Sequence, residues 1–120
     1  MFYGTYNVKV KDNTVNIPFE FENKKCVIYC MKDVENIIFL QVWKIEDIKK
    51  AKDFSKDFEI LCSYEQVIDE KKFVLPKEFS DYLGEEENVR ISGVVDYIDI
   101  IKESDFKELS DEEIDKLFDF

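Results

Sequence analysis

Two stretches of the chain follow one template: Ile17-Pro18-Phe19-Glu20-Phe21 and Leu75-Pro76-Lys77-Glu78-Phe79, placed 58 positions apart. The same offset carries Leu40 onto Ile98, Val42 onto Ile100, Lys44 onto Lys102, Asp47 onto Asp105, Ile48 onto Phe106 and Lys49 onto Lys107. Each copy follows an alternating run and a polar tip, so the chain is read as an internal duplication. Two independent units of about 60 residues would each be marginal, because small domains bury too little of their surface. The halves of a 120-residue chain are therefore expected to share one core. The expected organisation is a single domain of two pseudo-symmetric repeats, about 1–57 and 58–109, with an acidic helix over 110–120.

Alternation from Tyr6 to Lys11, a turn at Asp12-Asn13-Thr14 and a resumed strand from Val15 to Pro18 predict a hairpin. Pro18 lacks an N–H and suits a strand end or a first helical turn, so Phe19 to Glu22 is expected to form one short turn. Cys26–Met31 and Ile37–Trp43 are β-rich apolar runs on either side of a polar loop. Ile45, Ile48, Ala51 and Phe54 follow helical spacing. The second half repeats this order. It has a strand from Ile60 to Ile68, a tip at Asp69–Lys72, a strand Phe73–Leu75, and a short helix opened by Pro76 and closed at Gly84. Strands Asn88–Ser92 and Val95–Ile101 flank a turn at Gly93, and a helix is expected over Glu103–Leu109. A capping box from Ser110 to Glu113 opens the last helix, with Ile114, Leu117 and Phe118 on its apolar face. Ile17, Phe21, Leu75 and Phe79 are read as core.

The apolar content, 45% with eleven Phe, fits a packed body. No run approaches the roughly 20 apolar residues of a membrane span, and no basic segment leads into an apolar signal core, so a cytoplasmic protein without a membrane partner is expected. Three cysteines, Cys26, Cys30 and Cys62, are read as reduced, mostly buried thiols, with Cys26 and Cys30 on one strand face. The chain has no His and only three Gly, which removes the usual general base, a Cys/His metal site and a phosphate-cradling loop. No enzyme activity, cofactor, metal or small-molecule substrate is expected. A formal net charge of -11 has the wrong sign for a generic nucleic-acid binder. The charge is uneven, however: residues 1–32 hold five Lys against three carboxylates, and residues 103–120 hold eight carboxylates against two Lys.

Met1-Phe2-x-Gly4-x-Tyr6, the hairpin leading into Ile17-Pro18-x-x-Phe21, its echo at Leu75-Pro76-x-x-Phe79, and Tyr82-x-Gly84 together resemble the MraZ family. That family is a duplicated relative of the AbrB and SpoVT swapped-hairpin proteins. The resemblance implies an α+β fold: a duplicated swapped-hairpin AbrB/MraZ-like β-barrel with short flanking helices. It also implies a cytoplasmic, nucleoid-associated DNA-binding transcriptional regulator of a cell-division and cell-wall gene cluster. Its members form ring-like homo-oligomers that present both tips to DNA. On this reading the DNA-binding residues are Lys9, Lys11, Thr14, Lys71 and Lys72. The family places an Arg four positions before each Pro, where this chain has Thr14 and Lys72, and both tips are one residue shorter and lack the family's Gly. Lys is a point charge without the planar fork that reads guanine, and Thr offers one neutral contact. The alternative is a degenerate MraZ-like oligomer serving as a protein-interaction or structural module without DNA binding.

Overall fold

The computed structural model describes residues 2–21, 25–68 and 71–106. Strands β1 (Thr5–Lys9) and β2 (Thr14–Asn16) flank the tip of the first hairpin, which a single bridge between Lys11 and Thr14 closes. At its tip Asp12 and Asn13 take φ values of 51° and 61°, the left-handed turn that Asp and Asn tolerate and that matches strand twist. Then come β3 (Lys25–Lys32), β4 (Ile38–Lys44), a 3-10 turn over Ile45–Asp47 and helix α1 (Ile48–Ser55). The second copy supplies β5 (Glu59–Val67), β6 (Lys72–Val74), helix α2 (Lys77–Leu83), β7 (Asn88–Val94), β8 (Tyr97–Lys102) and a 3-10 turn over Glu103–Asp105. No helix among the described residues is long and apolar enough to cross a membrane.

The strands change partners between the copies. All pairings are antiparallel: one six-stranded sheet runs β1-β7-β8-β4-β3-β5, and β2 pairs with β6 in a separate ribbon. Gln41 faces Asp99 across β4 and β8, and Val15 faces Phe73 across β2 and β6. Both pairs differ by 58, so each maps onto itself under the duplication. The outer strands agree once β3 and β7 are related by 63: Val67 opposite Lys25 is the image of Lys9 opposite Asn88. The extra five positions accommodate α2 and are given back in the tighter β7–β8 turn.

The expected barrel is not closed. Closure needs every edge bridged by hydrogen bonds, but among the described residues β1 and β5 are the edge strands of the sheet, and the three-residue strands β2 and β6 form a ladder with each other and with no strand of the sheet. The result is an α+β fold of an open sheet faced by a short ribbon. Between sheet and ribbon lies the main core, with Ile17, Phe73, Leu75, Phe79, Val42 and Ile98 almost wholly buried. Helix α1 covers a second cluster on the sheet's other face, around Trp43, Met31 and Ala51.

Four local expectations differ from the fold. Phe19 to Phe21 is not a helical turn. In an extended chain Phe19 and Phe21 reach the same side, and both rings meet Phe2 at 5.6 and 5.2 Å; Glu22 lies outside the described residues. Phe21 is only half-buried, whereas Phe2 is buried. Gly93 lies inside β7 instead of in the turn, because the segment Phe2–Tyr3 crosses there and a Cβ would stand 2.5 Å from its backbone. The turn falls at Val95-Asp96, with Val95 at φ 60°. The helix expected over Glu103–Leu109 is a single 3-10 turn to Asp105, with Phe106 extended. Residues 107–109 and the acidic helix expected over 110–120 lie outside the described residues.

Candidate nucleic-acid interface

The first hairpin holds its tip by a reciprocal pair of backbone bonds, Lys11 N–H to the Thr14 carbonyl at 2.9 Å and Thr14 N–H to the Lys11 carbonyl at 3.0 Å. Each tip also clamps the other copy. Leu75 N–H donates to the Asn13 carbonyl at 3.0 Å, and Ile17 N–H donates to the Lys71 carbonyl at 2.7 Å. These two bonds are images under the offset of 58. Lys71, at φ 64°, repeats the backbone of Asn13. The residues before the prolines therefore hold Asn13 and Lys71; Asp69 and Glu70, the start of the second tip, lie outside the described residues.

Strand exchange puts Lys72 opposite Asn16. A groove of about 430 Å³ results, in which Lys9, Lys11, Thr14 and Lys72 meet Asp12 and Asn16. Four of the five candidate residues thus line one site. Lys71 does not; its ammonium pairs with Glu20 at 2.5 Å. Lys9 shares its charge with Glu87 at 3.6 Å, while among the described residues no ion pair within 4 Å involves Lys11 or Lys72. Thr14 Oγ1 donates to the Lys11 carbonyl at 2.7 Å, so its hydroxyl serves the turn first. Three lysines and the carboxylate-bearing Asp12 thus line the groove, and Glu87 offsets the charge of Lys9. Lysines in such a groove offer point charges to an anion and no planar fork for reading base edges.

Sequence reading missed Asn16, Glu20 and Glu87. The first could have been found by applying the offset of 58 to the strand pairing; the two carboxylates come from segments whose approach depends on the exchange. A second cavity of about 410 Å³ escaped notice as well. It lies between α1 and the β7–β8 turn, where Trp43 stacks on Tyr97 at 4.6 Å and Phe54 leans on both. None of the candidate residues lines it. No group of three or more His, Cys, Asp or Glu among the described residues is placed to hold a metal ion.

No protein-family model matches the chain, and no curated protein sequence matches it.

Proposed function

We propose that the chain is a DNA-binding transcriptional regulator of the MraZ type, built on a duplicated swapped-hairpin fold and acting in the cytoplasm at the nucleoid. One observation carries the reading: the exchange of β2 and β6 brings Lys72 of one copy beside Lys9, Lys11 and Thr14 of the other. The contact is with phosphate, through Lys11 and Lys72 above all. Self-association multiplies such weak contacts by effective concentration. Exposed Tyr3, Phe54, Val94 and Val95 offer an apolar surface for it.

A polarisation titration with short duplexes tests this. Each phosphate neutralised adds about 0.9 to the slope of log affinity against log salt, so one groove gives a slope of roughly 2 to 3. Lys11→Glu with Lys72→Glu abolishes binding, whereas Lys49→Glu with Lys52→Glu on exposed positions of α1 changes it little. Absence of binding near about 50 mM salt, where the electrostatic contribution is large, overturns the regulator reading. The second reading is then adopted: an oligomeric interaction module without DNA binding. It is favoured by the net charge of -11 and by the ion pairs that already engage Lys71 and Lys9.

A further inference from the structure

Two of the three thiols stand directly opposite each other. Cys30 on β3 is the register partner of Cys62 on β5, and a register shift follows at once, between Cys30 and Met31. Both side chains belong to the same core face. Facing residues in an antiparallel pair have Cα atoms about 4.5 to 5.5 Å apart, inside the span of roughly 4.4 to 6.8 Å that a disulfide bridges. The two sulfurs lie close enough for each to influence the other's ionisation. The Cys62 thiol in turn donates to Glu78 Oε2 of α2 at 3.4 Å. Cys30 is fully buried and Cys62 is partly open to solvent. Cys26 has Lys44 and Gln66 as its cross-strand partners and sits four positions from Cys30 along β3, roughly 13 Å at strand rise. It cannot join the pair.

We propose that Cys30 and Cys62 form an oxidation site, at which a hydroperoxide converts the facing thiols into a cross-strand disulfide that staples the two copies together. The Cys62 sulfur attacks one peroxide oxygen and the O–O bond breaks. The thiol proton ends on the departing oxygen, leaving a sulfenic acid and, with hydrogen peroxide, one water. The Cys30 sulfur then attacks the Cys62 sulfur, forming the S–S bond and breaking S–O. The hydroxyl leaves with the Cys30 proton as a second water, so two electrons have passed from the sulfurs to the peroxide. Cys62 reacts first because it is the accessible thiol, and Cys30 resolves it because it is the nearest. Burial and the Glu78 carboxylate hold the Cys62 thiol above its ordinary range, and burial pushes Cys30 up to about 12. Since the thiolate is the nucleophile, the reaction is slow at neutral pH and accelerates as pH rises. The site belongs to one copy only. Carried through the duplication, Cys30 falls on Gly93 and Cys62 on Gly4, two glycines joined by a backbone bond of 2.8 Å.

The test is intact mass and peptide mapping of the native full chain exposed to hydrogen peroxide. The expected product is lighter by about 2 Da, with Cys30 linked to Cys62 and Cys26 still open to alkylation after unfolding. Its melting temperature rises by roughly 10 °C, and thiol reductant reverses the rise. Cys26→Ser keeps the mass loss, and Cys62→Ser abolishes it. Glu78→Gln shifts the rate profile to lower pH, which a merely structural carboxylate would not do. A bridge through Cys26, or stepwise gain of oxygen at Cys62 without mass loss, overturns the proposal. So does an unchanged chain after hours in about 1 mM peroxide at pH 8.

Discussion

The two copies agree in strand order and register and differ in what covers each face of the sheet. In the first copy Val27, Tyr29, Met31 and Trp43 make the outer face apolar, and α1 closes over them. Their images in the second copy are Arg90, Ser92, Val94 and Ile101. There Arg90 Nε donates to Glu103 at 2.6 Å, its guanidinium lies 4.8 Å from the Phe106 ring, and Ser92 shares a hydroxyl bond of 3.0 Å with Thr5. The inner face is the reverse. The second copy places Phe79, Tyr82 and Leu83 at helical spacing and folds them as α2, whereas Phe19-x-Phe21 in the first has strand spacing and stays extended. A duplicated chain need not duplicate its layers: it buries each face once, with whichever copy kept the right periodicity.

The sharpest test of that difference is at one pair of images, where the largest effect is expected. Phe79 is fully buried under the sheet, and Phe21 is half-buried against Phe2. Phe79→Ala leaves a cavity and destabilises by about 3 to 5 kcal/mol; Phe21→Ala destabilises by about 1 to 2 kcal/mol, because solvent and Phe2 refill part of the space. Urea melts of the two variants read this directly. Equal losses would mean that the copies pack alike after all.

A smaller effect lies on the pseudo-axis itself, where Gln41 faces Asp99. Gln41 Oε1 accepts a bond of 3.1 Å from the Trp43 indole N–H. The image of Trp43 is Ile101, whose side chain has nothing to donate, and Asp99 Oδ1 is buried with no hydrogen-bond partner among the described residues. Burial pushes Asp99 from 3.8 up to about 7. The folded chain therefore keeps a proton that the unfolded chain releases, so stability falls as pH rises from about 4 to about 7 and is level above that. Asp99→Asn removes this loss. The variant gains roughly 2 to 4 kcal/mol over the parent at pH 8, and far less near pH 4. Melts at the two pH values decide it; a gain independent of pH would place its origin elsewhere.

The duplication and the order of strands were legible because the offset of 58 and the alternation are local facts of the sequence. So was the α2 cap, where Gly84 takes φ 60°. Less visible were the partners. Nothing in the order of residues says that β1 pairs with β7 and β5 with β3, and with that exchange come the groove, the Lys71–Glu20 pair and the meeting of Cys30 with Cys62. Gly93 misled for a related reason. A glycine near a turn reads as the turn, but this one is required by the passage of Phe2 and Tyr3, contacts about 90 positions distant.

The displaced turn gives the smallest prediction. The first hairpin turns at Asp12 and Asn13, residues that accept a positive φ with little strain; the β7–β8 hairpin asks the same of Val95, a β-branched residue at φ 60°. Its side chain is 42% exposed, so little packing would be lost with it. The backbone holds it there: Phe2 N–H donates to the Val95 carbonyl at 2.9 Å, and Val95 N–H returns a bond to Phe2 at 3.0 Å. Strain of this kind is on the order of 1 to 3 kcal/mol. Val95→Gly relieves it, and the greater freedom of glycine in the unfolded chain takes back part of the gain. A net stabilisation of about 1 kcal/mol is expected in a thermal melt. Asp12→Gly at the first tip should move the same melt by only a few tenths of that size, because there the strain is small to begin with. If the two glycine variants behave alike, the hairpins are equally relaxed and the contrast between their turns fails.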